Sequence, residues 1–204
     1  MSRSTSIWNM TLGGFRDAIE SRSTPGCGAA AASSAVMGLA LVLKGLRITD
    51  DKHPDAARGE LIARGDAQLA ELVRYADEDV DAFNAYLAAV KRPRDSDAEK
   101  RTRERAIQAA AERANRVPLA TARCCLEALK LAGRALEKTA GNLHSDTLAG
   151  GLMLHAALSS VLTNVDANLA SLHDDTERES MAAERHALQG RADRQRERLL
   201  ACAA

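Results

Sequence analysis

The chain is poor in aromatics and carries no net charge. Trp8, Phe15, Tyr75, Phe83 and Tyr86 are its aromatic residues in a length of 204. They are too few to form a platform on which successive bases stack. The 28 Lys+Arg are matched by 28 Asp+Glu, which excludes the broad cationic field of a non-specific nucleic-acid binder. No nucleic-acid partner is expected. The four cysteines, Cys27, Cys124, Cys125 and Cys202, show no C-x-x-C spacing, and His53, His144, His155, His173 and His186 are scattered. No metal site or disulfide framework is expected, and a reducing, cytoplasmic setting is. No apolar run follows Arg3, so no signal peptide is expected. Long apolar runs are also scarce. Residues 29–43 are too short to span a bilayer, and residues 147–165, just long enough, include His155, Ser159, Ser160, Thr163 and Asn164. Both are expected to be buried helices, with no membrane partner.

What the chain does have is Ala, Leu and Val at helical spacing. With 46% hydrophobic and 27% charged residues it has the balance of a globular protein. An aliphatic core of this kind favours helix over sheet, and no segment alternates with period two. Breaks are expected at residues 23–28, 45–54, 92–97 and 141–145, with a kink or restart at Val117-Pro118. The expectation is an all-α, single-domain antiparallel bundle of about seven helices, with a core over about 12–175 and a charged C-terminal helix over about 176–200. Residues 97–116 and 174–198, dense in alternating charge, are expected to be solvated faces.

Within the segment 56–90, Leu69, Leu72, Ala76, Asp79, Phe83, Tyr86 and Val90 follow at gaps of three or four and form one stripe. Asp79 is the acid in it. Asp77 and Asp81 lie roughly 200° around the helix from it and are expected to face solvent. A carboxylate on an apolar stripe needs a reason, either an ion pair to a neighbouring helix or a functional role. A second stripe, Gly151, His155, Leu158, Leu162, Val165, Leu169 and Leu172, marks a helix expected to be covered nearly all round. His155 is expected to be a satisfied packing residue. The loop Thr24-Pro25-Gly26-Cys27-Gly28 runs straight into an Ala-rich helix, whose free N–H groups could hold an anion or a ring carbonyl or could serve packing alone. Cys27 is expected to be a small buried thiol.

Taken together, Thr24-Pro25-Gly26-Cys27-Gly28, Asp79-Val80-Asp81-Ala82-Phe83-Asn84-Ala85-Tyr86, Ala106-Ile107-Gln108-Ala109, Arg116-Val117-Pro118-Leu119, Gly141-Asn142-Leu143-His144-Ser145-Asp146 and Asn164-Val165-Asp166-Ala167-Asn168 resemble the cyclodeaminase/cyclohydrolase family of folate enzymes. The resemblance covers about residues 12–175. It implies an all-helical homodimer, a tetrahydrofolate derivative as substrate and no tightly bound cofactor or metal. It implies Asp79 as the catalytic acid, with Asp146 and Lys52 assisting. It also implies a folate pocket lined by Pro25, Gly26, Cys27, Gly28, Phe83, Asn142, Ser145 and Asn164. The pattern departs at Cys27, where the family has glycine. It departs again over Ile48–Pro54, where Lys52 remains but the family's aromatic and other cations are missing. The implied reaction is hydrolysis of 5,10-methenyltetrahydrofolate to the 10-formyl derivative, favoured because no formiminotransferase-like segment is recognisable. The alternatives are release of ammonia from 5-formimidoyltetrahydrofolate, or a non-catalytic folate-binding relative.

Overall fold

The computed structural model describes residues 6–170, 172 and 174–203; residues 1–5, read above for a signal peptide, and His173 lie outside them. The described residues form six α-helices and two short 3-10 turns, with no strand: α1 (Leu12–Ser21), α2 (Cys27–Lys52), α3 (Ala56–Val90), α4 (Asp97–Lys138), α5 (His144–Leu169) and α6 (Asp175–Ala203). The helix starts follow from local chemistry. Thr11 caps α1 by accepting from the Gly14 N–H, and Asp55 caps α3 by accepting from Ala57. Ser96 and Glu99 form a reciprocal capping box at α4.

Helices α2 to α5 make an up-down-up-down bundle, each packed on its chain neighbours, with α5 closing the ring against α2. The antiparallel α2–α5 pair is held close by glycine. A Cβ on Gly38 would lie 2.8 Å from the Gly150 carbonyl oxygen, so only bare backbone fits on both sides of the crossing. Around it Leu39, Val42, Leu46, Leu126, Leu129, Leu154, Leu158 and Leu162 are fully buried. By length and composition alone α2 and α5 could cross a membrane; here they pack face to face at the centre of the bundle. Helix α5 is nonetheless not covered all round, since Ala156, Ser160 and Thr163 are exposed.

The expected break at residues 45–54 is shorter than the sequence suggested, because α2 continues to Lys52. Gly45 serves close approach, not a turn: a Cβ there would meet Thr147 and the Thr139 methyl group. Nor does Pro118 restart a helix, as α4 runs through it unbroken. The join at Pro118 reduces the expected seven helices to six. Helix α6 is also less solvated than its charge implied. Met181, Leu188, Ala192 and Leu199 are buried against α4 and α5, and Arg185 grips Asp166 of α5 through two nitrogens, at 2.8 Å each.

Asp77 does not face solvent freely either. It accepts from the Ser6 hydroxyl at 2.7 Å and the Ile7 N–H at 2.9 Å, pinning the first 3-10 turn (Ile7–Asn9) to α3. The Trp8 indole N–H adds a bond to the Val73 carbonyl at 3.0 Å.

Candidate active site

The N-terminus of α2 meets the middle of α3 and the last turns of α5. There the Asp79 carboxylate lies directly over Gly28, where a methyl group would overlap it. One carboxylate oxygen accepts the Ala29 N–H at 3.0 Å and the other faces the Asn164 amide nitrogen at 3.4 Å. Among the described residues no lysine or arginine pairs with Asp79, which removes the ion-pair reading of this acid. Burial pushes the Asp79 carboxyl above the usual carboxylate range, and the Ala29 N–H opposes part of that rise. The helix start therefore orients a carboxylate whose affinity for a proton has been raised.

Asp79 opens into a cavity of about 160 Å³ lined by Ser23, Thr24, Gly26, Cys27, Ala82, Phe83, Ala114, Asn164 and Asn168. That is below the roughly 300 Å³ at which pockets begin to enclose a drug-sized ligand, so it suits one end of a larger molecule. Phe83, 41% exposed, stands at this cavity with an aromatic face available to a flat or cationic group. Cys27 is exposed, contrary to expectation, and its thiol donates to the Ser160 carbonyl at 3.5 Å. Cys124 and Cys125 are the buried thiols; burial first of all pushes Cys124 up to about 12 and raises Cys125 as well.

Of the residues expected in the pocket, the structure brings Gly26, Cys27, Asp79, Phe83 and Asn164 to one cavity, with Gly28 beneath the carboxylate and Pro25 buried in the adjoining loop. It does not bring Lys52, Asn142, Ser145 or Asp146 there. Asp146 starts α5 while Asn164 is 18 residues further along it, about 27 Å at 1.5 Å per residue. Lys52 is at the far end of α2 and exposed. Asp146 is bound by Lys44 at 2.6 Å, and Asn142 and Ser145 are exposed. The antiparallel α2–α5 pairing makes this separation unavoidable within one chain. Conversely, Ser23, Ala82, Ala114 and Asn168 line the cavity without having been singled out for it, and Thr24, which opens the loop read above, joins them. Asn168 alone carried a signal, standing one turn after Asn164 on the same helix face.

His155 is satisfied as expected, its Nε2 lying 2.8 Å from Asp193 of α6. Among the described residues no group of three His, Cys, Asp or Glu side chains is arranged to hold a metal ion.

Comparison with known proteins converges on one family. A family model described as formiminotransferase-cyclodeaminase matches residues 11–187. A methenyltetrahydrofolate cyclohydrolase of Methylorubrum extorquens is 35% identical over 171 residues, 81% of this chain and 82% of that protein. The formimidoyltransferase-cyclodeaminase of Sus scrofa is 35% identical over 83% of this chain, which spans 32% of that longer protein. In fold, the chain is similar to formiminotetrahydrofolate cyclodeaminase from Thermotoga maritima, with a TM-score of 0.84, 24% identity and 97% of each chain covered. A matched region that takes in the cavity, α1 to α5 and the start of α6 makes this chain a member of the formiminotransferase-cyclodeaminase family.

Proposed function

We propose that the chain is a methenyltetrahydrofolate cyclohydrolase, converting 5,10-methenyltetrahydrofolate and water to 10-formyltetrahydrofolate. The observation that carries this is the Asp79 carboxylate, unpaired by any described cation and facing a small cavity beside Phe83. The cyclohydrolase relative, matched over most of its own length, supports the same choice. The substrate's reacting carbon belongs to an amidinium cation, already electrophilic. A carboxylate beside it attracts the cation and removes a proton from the attacking water. A C–O bond forms and gives a neutral carbinolamine. The bond from that carbon to the pterin-side nitrogen then breaks as Asp79 returns a proton to the nitrogen, and the hydroxyl proton leaves to solvent as the formyl group forms.

The raised proton affinity of Asp79 suits a group that must take and give back one proton. Asn164 and the Ala29 N–H hold the carboxylate, Gly28 leaves room for it, and the backbone and side chains of Pro25, Gly26, Cys27 and Phe83 receive the pterin. The rest of the substrate extends out of the cavity. No tightly bound cofactor enters this chemistry.

The reading further makes the protein a cytoplasmic homodimer without membrane or nucleic-acid partners. Four free cysteines are consistent with a reducing compartment, and zero net charge with the lack of a nucleic-acid partner. The dimer is supported by an apolar groove between α1, α2 and α5, lined by Trp8, Leu12, Phe15, Ile19, Met37 and Met153. There Leu12 of α1 is 79% exposed and Met37 of the Ala-rich helix 44%, on a face that a second copy would cover.

The test is the decay of methenyltetrahydrofolate absorbance with and without protein, run beside an ammonia assay on 5-formimidoyltetrahydrofolate. Accelerated methenyl decay without ammonia release supports the cyclohydrolase. Ammonia release alone identifies a cyclodeaminase, and folate binding without either reaction identifies a binding relative.

A further inference from the structure

Pro118 sits inside α4 and is buried. Proline has no N–H, so the carbonyl four residues back, that of Ala114, loses its helical donor. That carbonyl is answered from another helix, for the Asn168 amide nitrogen of α5 donates to it at 3.0 Å. The exchange is reciprocal. The Asn168 carbonyl, in the last turn of α5, accepts the Ala170 N–H of the helix cap, and the Asn115 amide also reaches it at 3.4 Å while bonding the Ala111 carbonyl at 3.0 Å. Asn115 is fully buried. The carbonyl freed by proline is thus answered by one asparagine, and that asparagine's own carbonyl by another.

The place of this clamp gives it meaning. Ala114 and Asn168 both line the Asp79 cavity, and Asn168 stands one helical turn from Asn164. A proline in a buried helix is costly, and here it fixes the plane of one amide in the wall of the site.

We propose that Pro118 is a positioning residue for substrate binding. It frees the Ala114 carbonyl, which holds the Asn168 amide in the cavity wall, where that amide recognises the hydrogen-bonding edge of the bound heterocycle. This rests on the folate reading above. The Asp79 carboxylate takes no part in the clamp, so the effect falls on binding of the ring and not on the chemical step.

The test compares wild type, Pro118→Ala, Asn168→Ala and the double variant, by calorimetric titration with the non-reactive 5-formyl derivative of tetrahydrofolate and by melting curves. Alanine at 118 restores an N–H that competes for the Ala114 carbonyl and is better tolerated in a helix. Its Tm should equal or exceed that of wild type, while Kd rises up to about tenfold, the scale of one lost hydrogen bond. Asn168→Ala should weaken binding similarly, and the double variant should lose no more than either single change, because both act through one contact. Wild-type Kd in Pro118→Ala, additive losses in the double variant, or weaker binding accompanied by a lowered Tm would overturn the proposal. A wild-type chain that binds no folate would overturn both it and the functional reading; a wild type that binds while Pro118→Ala binds equally well overturns this proposal alone.

Discussion

At the scale of single residues, neighbouring acids on α3 have opposite duties. Asp79 faces the cavity, whereas Asp77 holds the Ser6 hydroxyl and Ile7 N–H against α3. Asp77→Ala should lower stability by about 1–3 kcal/mol, the range for hydrogen bonds to a charged group, with kcat/KM within about twofold of wild type; urea melts and initial rates check both. Asp79 should behave in reverse. Its carboxyl holds a proton more tightly in the folded protein than in the unfolded chain, so the folded state binds more protons between the ordinary carboxylate pKa and the raised one. The associated stability is present below the ordinary value and is lost as pH rises through the raised value. Asp79→Asn cannot ionise and escapes that loss, so at pH 7 it should melt no lower than wild type. The wild-type kcat/KM should rise with pH through the same raised value as the base ionises. Asp79 was legible in the sequence because an acid on an apolar stripe is conspicuous. The duty of Asp77 was not, since its partners lie 70 and 71 residues away.

At the scale of helices, the sequence pattern located the cores of α2 to α5 and their loops, but not what each glycine and proline does. Gly45 looks like a break and is a contact with Thr139 and Thr147; Pro118 looks like a restart and leaves α4 continuous. Local sequence does not contain the helix across the interface, and that helix decides both cases. The same holds for α6, whose charge masked the buried side formed by Met181, Leu188, Ala192 and Leu199. The Gly38–Gly150 crossing gives a direct test. A Cβ on Gly150 would press into the Gly38 carbonyl and lie 2.8 Å from a Val42 methyl carbon. Gly150→Ala should therefore cost about 1–3 kcal/mol through overpacking, despite the better helix propensity of alanine. Chemical denaturation measures the outcome, and an unchanged or raised midpoint would show that the two helices can move apart freely.

At the scale of the whole molecule, an up-down bundle collects the N-terminus of α2, the middle of α3 and the end of α5 into one site, and carries Lys52 and Asp146 to the opposite end. Family-like motifs thus singled out segments but did not show that they fall at two ends, because the separation comes from helix length and direction. The exposed Leu12, Ile19 and Met37 on one side are expected to be covered by a second copy. Met37→Arg should shift the solution mass from dimer to monomer in light scattering, and a wild type that is already monomeric at micromolar concentration would contradict the dimer. The central claim is that this bundle hydrolyses a folate amidinium by way of Asp79. The most direct measurement is the decay of methenyltetrahydrofolate absorbance at pH 7 with equal amounts of wild type and Asp79→Asn. The account predicts clear acceleration by wild type and a loss on the order of a hundredfold or more in the variant, the scale of a missing general base, with both proteins equally folded. Decay with wild type no faster than in buffer, or a variant as fast as wild type, would contradict it.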